Sequence, residues 1–257
     1  MKIEKSKLLK FIQKYNLSGT NESVKFVINA EESTLTAEFY SSDKSLLGKT
    51  ILSGFKHDED CVIGVHDASK LVKMLNISSV NQVDLTFLKS SDGRIVKIII
   101  DDGEGAKYDY ATADLTAIPT IPARRKMPPC TVELNILKSF ATKFKNATKA
   151  LENVDVFTLV PDKSKDQISL VLGYATNINI DQSAFIMPFE SGKGDLSKNI
   201  SFSAKHLANI IDANLDVFVK DDSKIVFGIA EQGISNVSIE SGDFKSEYLI
   251  VESKQKN

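Results

Sequence analysis

Asp67-Ala-Ser-Lys-Leu-Val-Lys-Met-Leu75 and Ser203-Ala-Lys-His-Leu-Ala-Asn-Ile-Ile211 carry one pattern in two places. Each opens on a residue suited to capping a helix, Asp67 or Ser203, whose side-chain oxygen can accept from the unpaired N–H groups of a first turn. Each then sets small or aliphatic residues at Ala68, Leu71, Val72 and Leu75, or at Ala204, Leu207, Ala208 and Ile211. Steps of three and four keep such residues on one side of a helix. The surroundings repeat as well. Upstream, Leu8–Tyr15 matches Leu137–Phe144, with Phe11 opposite Phe140. Downstream, Val83-Asp-Leu-Thr-Phe-Leu88 matches Leu215-Asp-Val-Phe-Val219, and Asp92-Gly-Arg-Ile-Val96 matches Asp222-Ser-Lys-Ile-Val226. The chain reads as two versions of one unit.

The break between them is marked by proline. Four of the six prolines fall in Pro119–Pro129, a stretch that can be neither helix nor central strand. We therefore expect one domain over 1–115, an extended connector over 116–129 and a second domain over 130–257. Outside the helical segments, each half is a series of short alternating runs. The first half gives Val24–Ala30, Thr34–Tyr40, Ile95–Asp101 and Lys107–Thr112, among others. The second gives Gln167–Leu172, Asn177–Ile180, Asp216–Lys220 and Glu247–Val251. Ser91-Asp-Gly93, Asp102-Gly103 and Ser241-Gly242 punctuate them as turns. The order is β-α-β-β-β twice per half. Helices do not alternate one for one with strands, so the fold class expected is α+β, with antiparallel sheets and two helices on one face of each domain.

Charge is segregated. Four segments are expected as amphipathic helices: Lys5–Asn16, Ala68–Asn76, Leu134–Leu151 and Ser203–Ile211. Together they hold 11 lysines and no Asp or Glu, although the chain carries 34 acids and a net charge of −2. Surface helices ordinarily mix both signs, because opposite charges four residues apart stabilise each other. Four helices without acid point to a polyanion, phosphate above all. At 100° per residue, the side opposite the apolar stripe holds Lys7, Lys10 and Lys14 in the first segment and Lys70 and Lys73 in the second. In the third it holds Lys138, Lys145 and Lys149, and in the fourth His206, with Lys205 on the flank. Arginine and aromatic rings, which read bases, are missing from these sides. Lysine on a flexible stem suits loose contact with phosphates of any sequence.

Other chemistries find little support. The start of the chain leads into an amphipathic segment and not an apolar leader, and no apolar run reaches the ~20 residues that span a bilayer. Cys61 and Cys130 read as buried small residues. His57-Asp-Glu-Asp60 reads as a solvated turn and His66 as local structure beside the cap at Asp67. No H-E-x-x-H, G-x-S-x-G or paired C-x-x-C occurs. No cofactor, metal site or catalysis is expected.

With its repeated β-α-β-β-β units, basic helices and proline-bearing connector, the chain resembles the two-domain DNA polymerase sliding clamps. That family includes proliferating cell nuclear antigen and the clamps of archaea and tailed phages. Phe202-Ser-Ala-Lys-His-Leu207 at the last helix and Glu247-Tyr-Leu-Ile-Val251 in the last strand add to the likeness. The resemblance implies a non-enzymatic homotrimeric ring around duplex DNA, found inside the cell at replicating DNA. The ring would be loaded by a clamp loader and would tether a replicative DNA polymerase. Carried over by position, the helix residues above face the DNA. A partner peptide would bind near Pro119, Ile121, Pro122, Met127, Tyr248, Ile250 and Val251. Subunits would join through Lys107, Tyr108, Tyr110 and Thr112 of one chain and Tyr174, Thr176, Ile178 and Ile180 of the next. The connector's Arg124-Arg125-Lys126 is more basic than the resemblance implies. Two rival readings are a non-ring processivity factor and an adaptor whose basic helices hold RNA, anionic lipid or an acidic protein.

Overall fold

The computed structural model describes the chain except for residues 122–126, 152, 163, 165–166, 176–182, 191, 220–224 and 254–257. In chain order the first elements are β1 (Lys2–Glu4), α1 (Lys5–Asn16), β2 (Val24–Asn29), β3 (Thr34–Tyr40), β4 (Leu46–Ser53) and β5 (Cys61–Val65). They are followed by α2 (Ala68–Leu75), β6 (Gln82–Lys89), β7 (Ile95–Asp101) and β8 (Lys107–Ala111). Next come β9 (Val132–Ile136), α3 (Lys138–Ala150), β10 (Val156–Asp162), β11 (Gln167–Leu172), β12 (Phe185–Pro188), β13 (Gly192–Gly194) and β14 (Ile200–Ser203). The last are α4 (Ala204–Ala213), a 3-10 turn over Leu215–Val219, β15 (Ile225–Ala230), β16 (Ile234–Ser241) and β17 (Phe244–Val251). The fold is α+β with antiparallel sheets.

Two compact units form. The first comprises Met1–Ser41, Gly48–Ala123 and Ser241–Ser246; the second comprises Ser42–Leu47, Arg124–Glu240 and Glu247–Asn257. In the first unit one sheet runs β1-β6-β7-β8, and β2 lies antiparallel between β3 and β5. In β2, Val24, Phe26 and Ile28 are buried, whereas Lys25, Val27 and Asn29 face the other way, the alternation expected of a strand with one covered face. α1 packs on the covered face, where Phe11, Tyr15 and Phe26 meet edge to face with ring centroids 5.4 to 5.7 Å apart. The chain leaving β8 turns back to pair Ala113 with Gly64 of β5. A Cβ on Gly64 would lie 2.4 Å from the Ala113 carbonyl oxygen, so only glycine admits that approach.

The second unit repeats this plan. One sheet runs β12-β11-β10-β14, and β9 lies antiparallel between β13 and β15. Phe140 and Phe144 of α3 occupy the positions of Phe11 and Tyr15. Phe144 meets Phe157 edge to face at 5.9 Å, and Phe140 stacks on Phe189 at 4.4 Å.

Three local readings are corrected. The third helix starts at Lys138, because Val132, Leu134 and Ile136 are buried in alternation and form β9. Leu137 is the extended residue before the helix. The segment Asp216–Lys220, expected as a strand, lies largely in the 3-10 turn Leu215–Val219. Asn214 holds that turn: its side-chain amide donates to the Ile210 carbonyl at 2.8 Å, and its carbonyl accepts from the Val217 N–H at 3.0 Å. Finally, α4 runs to Ala213 and so includes Asp212; the fourth helix is not free of acid. The expected strand Asn177–Ile180 lies outside the described residues.

Candidate nucleic-acid interface

In the first unit, α1 lies beside α2, and Glu22 ties the two together. Its carboxylate accepts from the Ser69 N–H at 2.8 Å, from Ser69 Oγ at 2.5 Å and from Asn16 Nδ2 at 3.2 Å. A carboxylate at the start of α2 also suits that end of the helix dipole. Asp67 caps α2 as expected, accepting from the Lys70 N–H at 2.8 Å. Leu8, Phe11, Ile12 and Tyr15 are buried on one side of α1, and Lys10 and Gln13 are exposed on the other. On α2, Lys70 and Lys73 are exposed.

Two lysines of α1 lie elsewhere. Lys14 is only 1 % exposed, and its Nζ sits 5.2 Å from the centroid of the Phe244 ring. Lys7 is half-buried and reaches Asp243 Oδ2 at 2.5 Å, a bond that raises the ammonium's pKa. Both sit about 60° or less from Phe11 around the helix, at the edge of the apolar side and not opposite it. The Ser241–Ser246 segment covers that edge. Lys14 therefore cannot serve as a solvent-facing cation, contrary to the sequence reading.

In the second unit, Phe140, Ala141, Phe144 and Ala147 of α3 are buried. Lys138, Lys143 and Lys149 are exposed, with Thr142 and Asn146 between them. Lys143, which the sequence reading did not include, lies on the flank of the apolar stripe about 40° from buried Ala147 and is nevertheless exposed. Lys145 is half-buried and paired with Asp212 of α4. Lys205 is exposed. His206 is not: it is 8 % exposed, and its Nε2 lies 2.6 Å from Ser45 Oγ. Ser45 Oγ in turn donates to Asp43 Oδ2 at 2.7 Å. Burial pushes the imidazole pKa down, with Asp43 acting in the opposite sense. His206 is thus a neutral, buried group near neutral pH and not a phosphate contact.

Each unit therefore offers a helix face of exposed lysines with neutral polar residues between them. No family model matches the sequence, and no curated protein matches it. Among solved structures, proliferating cellular nuclear antigen from Entamoeba histolytica is similar over 98% of this chain and 98% of its own, with a TM-score of 0.71 at 12% identity. The A. fulgidus protein of the same name, in a structure with the C-terminal region of FEN-1 bound to it, is similar over 100% and 98%, with a TM-score of 0.72 at 16% identity. The chain has the sliding-clamp fold.

Within that fold, the connector and the sheet edges are the other places the sequence singled out. In the first unit a groove of about 400 Å³ lies between Pro119–Ile121 and the sheet face carrying Lys25, Val27, Thr36 and Lys49. Pro119 and Ile121 thus stand on a concave surface. Met127 is half-buried, Val251 is 46 % exposed, and Pro122 lies outside the described residues. Tyr248 and Ile250 are fully buried and line no surface; the Tyr248 phenol accepts from Asn214 Nδ2 at 3.0 Å.

Among the described residues β8 is an edge strand of its sheet, and so is β12 in the second unit. On β8, Lys107 is exposed and Tyr108 half-buried, whereas Tyr110 turns inward, its phenol donating to the Asp67 carbonyl at 3.2 Å. Thr112 follows the strand and donates to the Ile95 carbonyl at 2.7 Å. Tyr174 lies before the second edge, accepting from Asn199 Nδ2 at 2.7 Å; Thr176, Ile178 and Ile180 fall outside the described residues. The edge strand itself, Phe185–Pro188, holds Ile186 at 65 % exposure. Sequence reading missed it as an edge because an exposed isoleucine resembles any strand residue.

Burial pushes the Cys61 thiol up to about 11, away from nucleophilic range. Among the described residues no group of three His, Cys, Asp or Glu side chains could hold a metal ion, and no helix is long and apolar enough to cross a membrane.

Proposed function

We propose that this protein is a DNA polymerase sliding clamp, a processivity factor that encircles duplex DNA without sequence preference and tethers replication proteins to it. One observation carries the reading. The helices of a sliding-clamp fold expose Lys10, Lys70, Lys73, Lys138, Lys143, Lys149 and Lys205, with neither arginine nor an aromatic ring among them. Such a surface favours phosphate over bases. It also favours mobility, since each phosphate held firmly would strengthen binding and slow sliding. Topological linkage separates residence from affinity, so a ring needs only weak contacts.

In this reading the two domains flank a connector near 116–129, and three chains close the ring by joining β8 of one copy to β12 of the next. An unpaired sheet edge is a template for another strand, and closure would remove both edges from solvent. The groove beside Pro119–Ile121 is the candidate seat for peptides of polymerase, clamp loader and other partners. No catalytic step is required of the chain.

Light scattering over a concentration series tests assembly: a mass near three times 28.3 kDa is expected. Retention on DNA tests function. Loaded protein should stay on a nicked circle at high salt and leave when the circle is cut. Loss from the intact circle as salt rises would instead identify a non-ring factor.

A further inference from the structure

Lys145 of α3 stands in the same row as Lys138 and Lys149, seven residues after one and four before the other. That row is otherwise exposed. Lys145 departs from it: its side chain is 23% exposed and bends to Asp212 of α4, itself 38% exposed. Lys7 of α1 is held in the same way by Asp243, with both side chains 43% exposed. Each unit therefore ties at least one helix lysine to a carboxylate from its own fold. In the second unit that carboxylate is the single acid of the four helices, placed within reach of a lysine that a polyanion would otherwise meet.

We propose that Asp212 and Asp243 are internal competitors of the nucleic acid, withholding Lys145 and Lys7 from phosphate. The inference deepens the clamp reading and rests on it. Its physical basis is an exchange of like for like. A lysine that leaves a half-exposed carboxylate for a phosphate gives up one ionic hydrogen bond to gain another, so the net attraction is small. The carboxylate left behind then repels the phosphate as well. A lysine with no such partner gains the whole contact and releases a counterion. The number of lysines on the helices thus overstates the number that hold DNA. The two aspartates contribute to the shortfall, keeping the surface attractive enough to centre a duplex yet too weak to grip it.

The test is equilibrium binding of the full-length protein to a short linear duplex across a salt series, with thermal unfolding run in parallel. D212N keeps the shape of the side chain and removes its charge. It should bind more tightly than wild type and steepen the slope of log K against log salt by about 0.9 per chain that contacts the duplex. K145A should leave wild-type binding nearly unchanged, yet abolish the gain in D212N. K149A should weaken wild type directly. D243N and K7A should behave as D212N and K145A do. A slope that D212N does not change, or a loss on K145A equal to that on K149A, would overturn the inference while leaving the clamp reading intact. Absence of salt-dependent duplex binding in every variant would overturn both.

Discussion

α1 and α3 each contain four lysines and no acid, yet they present them differently. α3 exposes Lys138, Lys143 and Lys149. α1 exposes Lys10, whereas Lys5 donates to the Ser78 carbonyl at 2.6 Å, Lys7 pairs with Asp243 and Lys14 is buried beside Phe244. The cause lies in what each unit places on the flank of its helix. The first unit includes Ser241–Ser246, which covers one side of α1. The second includes Ser42–Leu47, which meets α4 at His206, while Lys138, Lys143 and Lys149 of α3 stay exposed. Equal composition thus gives a sparse row of cations in one unit and a dense one in the other. The electrostatic surface of a helix is set by the segment that packs beside it, not by its charge count.

The largest effect should come from reversing the charge that α1 hides. Lys14→Glu would place a carboxylate against the negative face of the Phe244 ring at a site closed to water. A loss of about 3 kcal/mol or more of stability is expected, as for a buried charge that loses its compensation. Lys149→Glu on α3 should stay within about 0.5 kcal/mol of wild type, as exposed substitutions do. Urea denaturation of both proteins measures the difference. Similar losses for the two would mean that the helices do not differ as described.

Duplex binding should reverse the order. Lys143→Glu with Lys149→Glu is expected to weaken binding by on the order of tenfold or more at ~0.1 M salt and to flatten the salt slope, because two phosphate contacts become repulsions. Lys10→Glu on α1 should cost less. Folding and assembly should survive in each case, which gel filtration would report. A subtler change isolates the cover on α1. Phe244→Leu keeps bulk and removes the ring, and should cost about 1 kcal/mol in wild type. In a Lys14→Met background the same change should cost less, and a thermodynamic cycle over the two positions gives the coupling.

These contrasts also mark what can be read from sequence. The bounds of α1, the cap at Asp67 and the repeat itself are local properties, written in periodicity and capping residues within a dozen positions. The start of α3 is local too but ambiguous, because Leu134 fits both the two-residue period of Val132, Leu134 and Ile136 and the three-to-four-residue period of Leu134, Leu137, Phe140 and Ala141. The fate of Lys14 is not local: its neighbour Phe244 is 230 positions away. His206 likewise depends on Ser45, and Lys145 on how α4 ends. The connector groove was partly legible through Pro119 and Ile121. Tyr248 and Ile250 were misplaced although the alternation in β17 separates them from Val251: Tyr248 and Ile250 share a buried face and Val251 takes the other.

The smallest effect belongs to His206, and it tests the counterpart of the cover on α1. The groups that reach the imidazole are Ser45 and Asp43 from the Ser42–Leu47 segment and Lys205 on its own helix. Ser45 Oγ gives its proton to Asp43, so the imidazole meets it as an N–H donor in the neutral form. Burial holds the folded pKa below the ordinary 6.5, although the Asp43 carboxylate at 3.9 Å works the other way. The sign follows from proton uptake. As pH falls below 6.5 the unfolded chain binds a proton that the folded chain refuses, so stability declines through that window and levels off once pH is below the folded pKa. Unfolding at pH 7.5 and pH 5.5 should therefore show a modest loss at the lower pH, larger than in His206→Gln, which cannot titrate. The same comparison on Lys14→Met should retain the full pH response, since α1 is covered without a titrating imidazole. A response that survives His206→Gln undiminished would locate the titrating group elsewhere and remove His206 from the α4 cover.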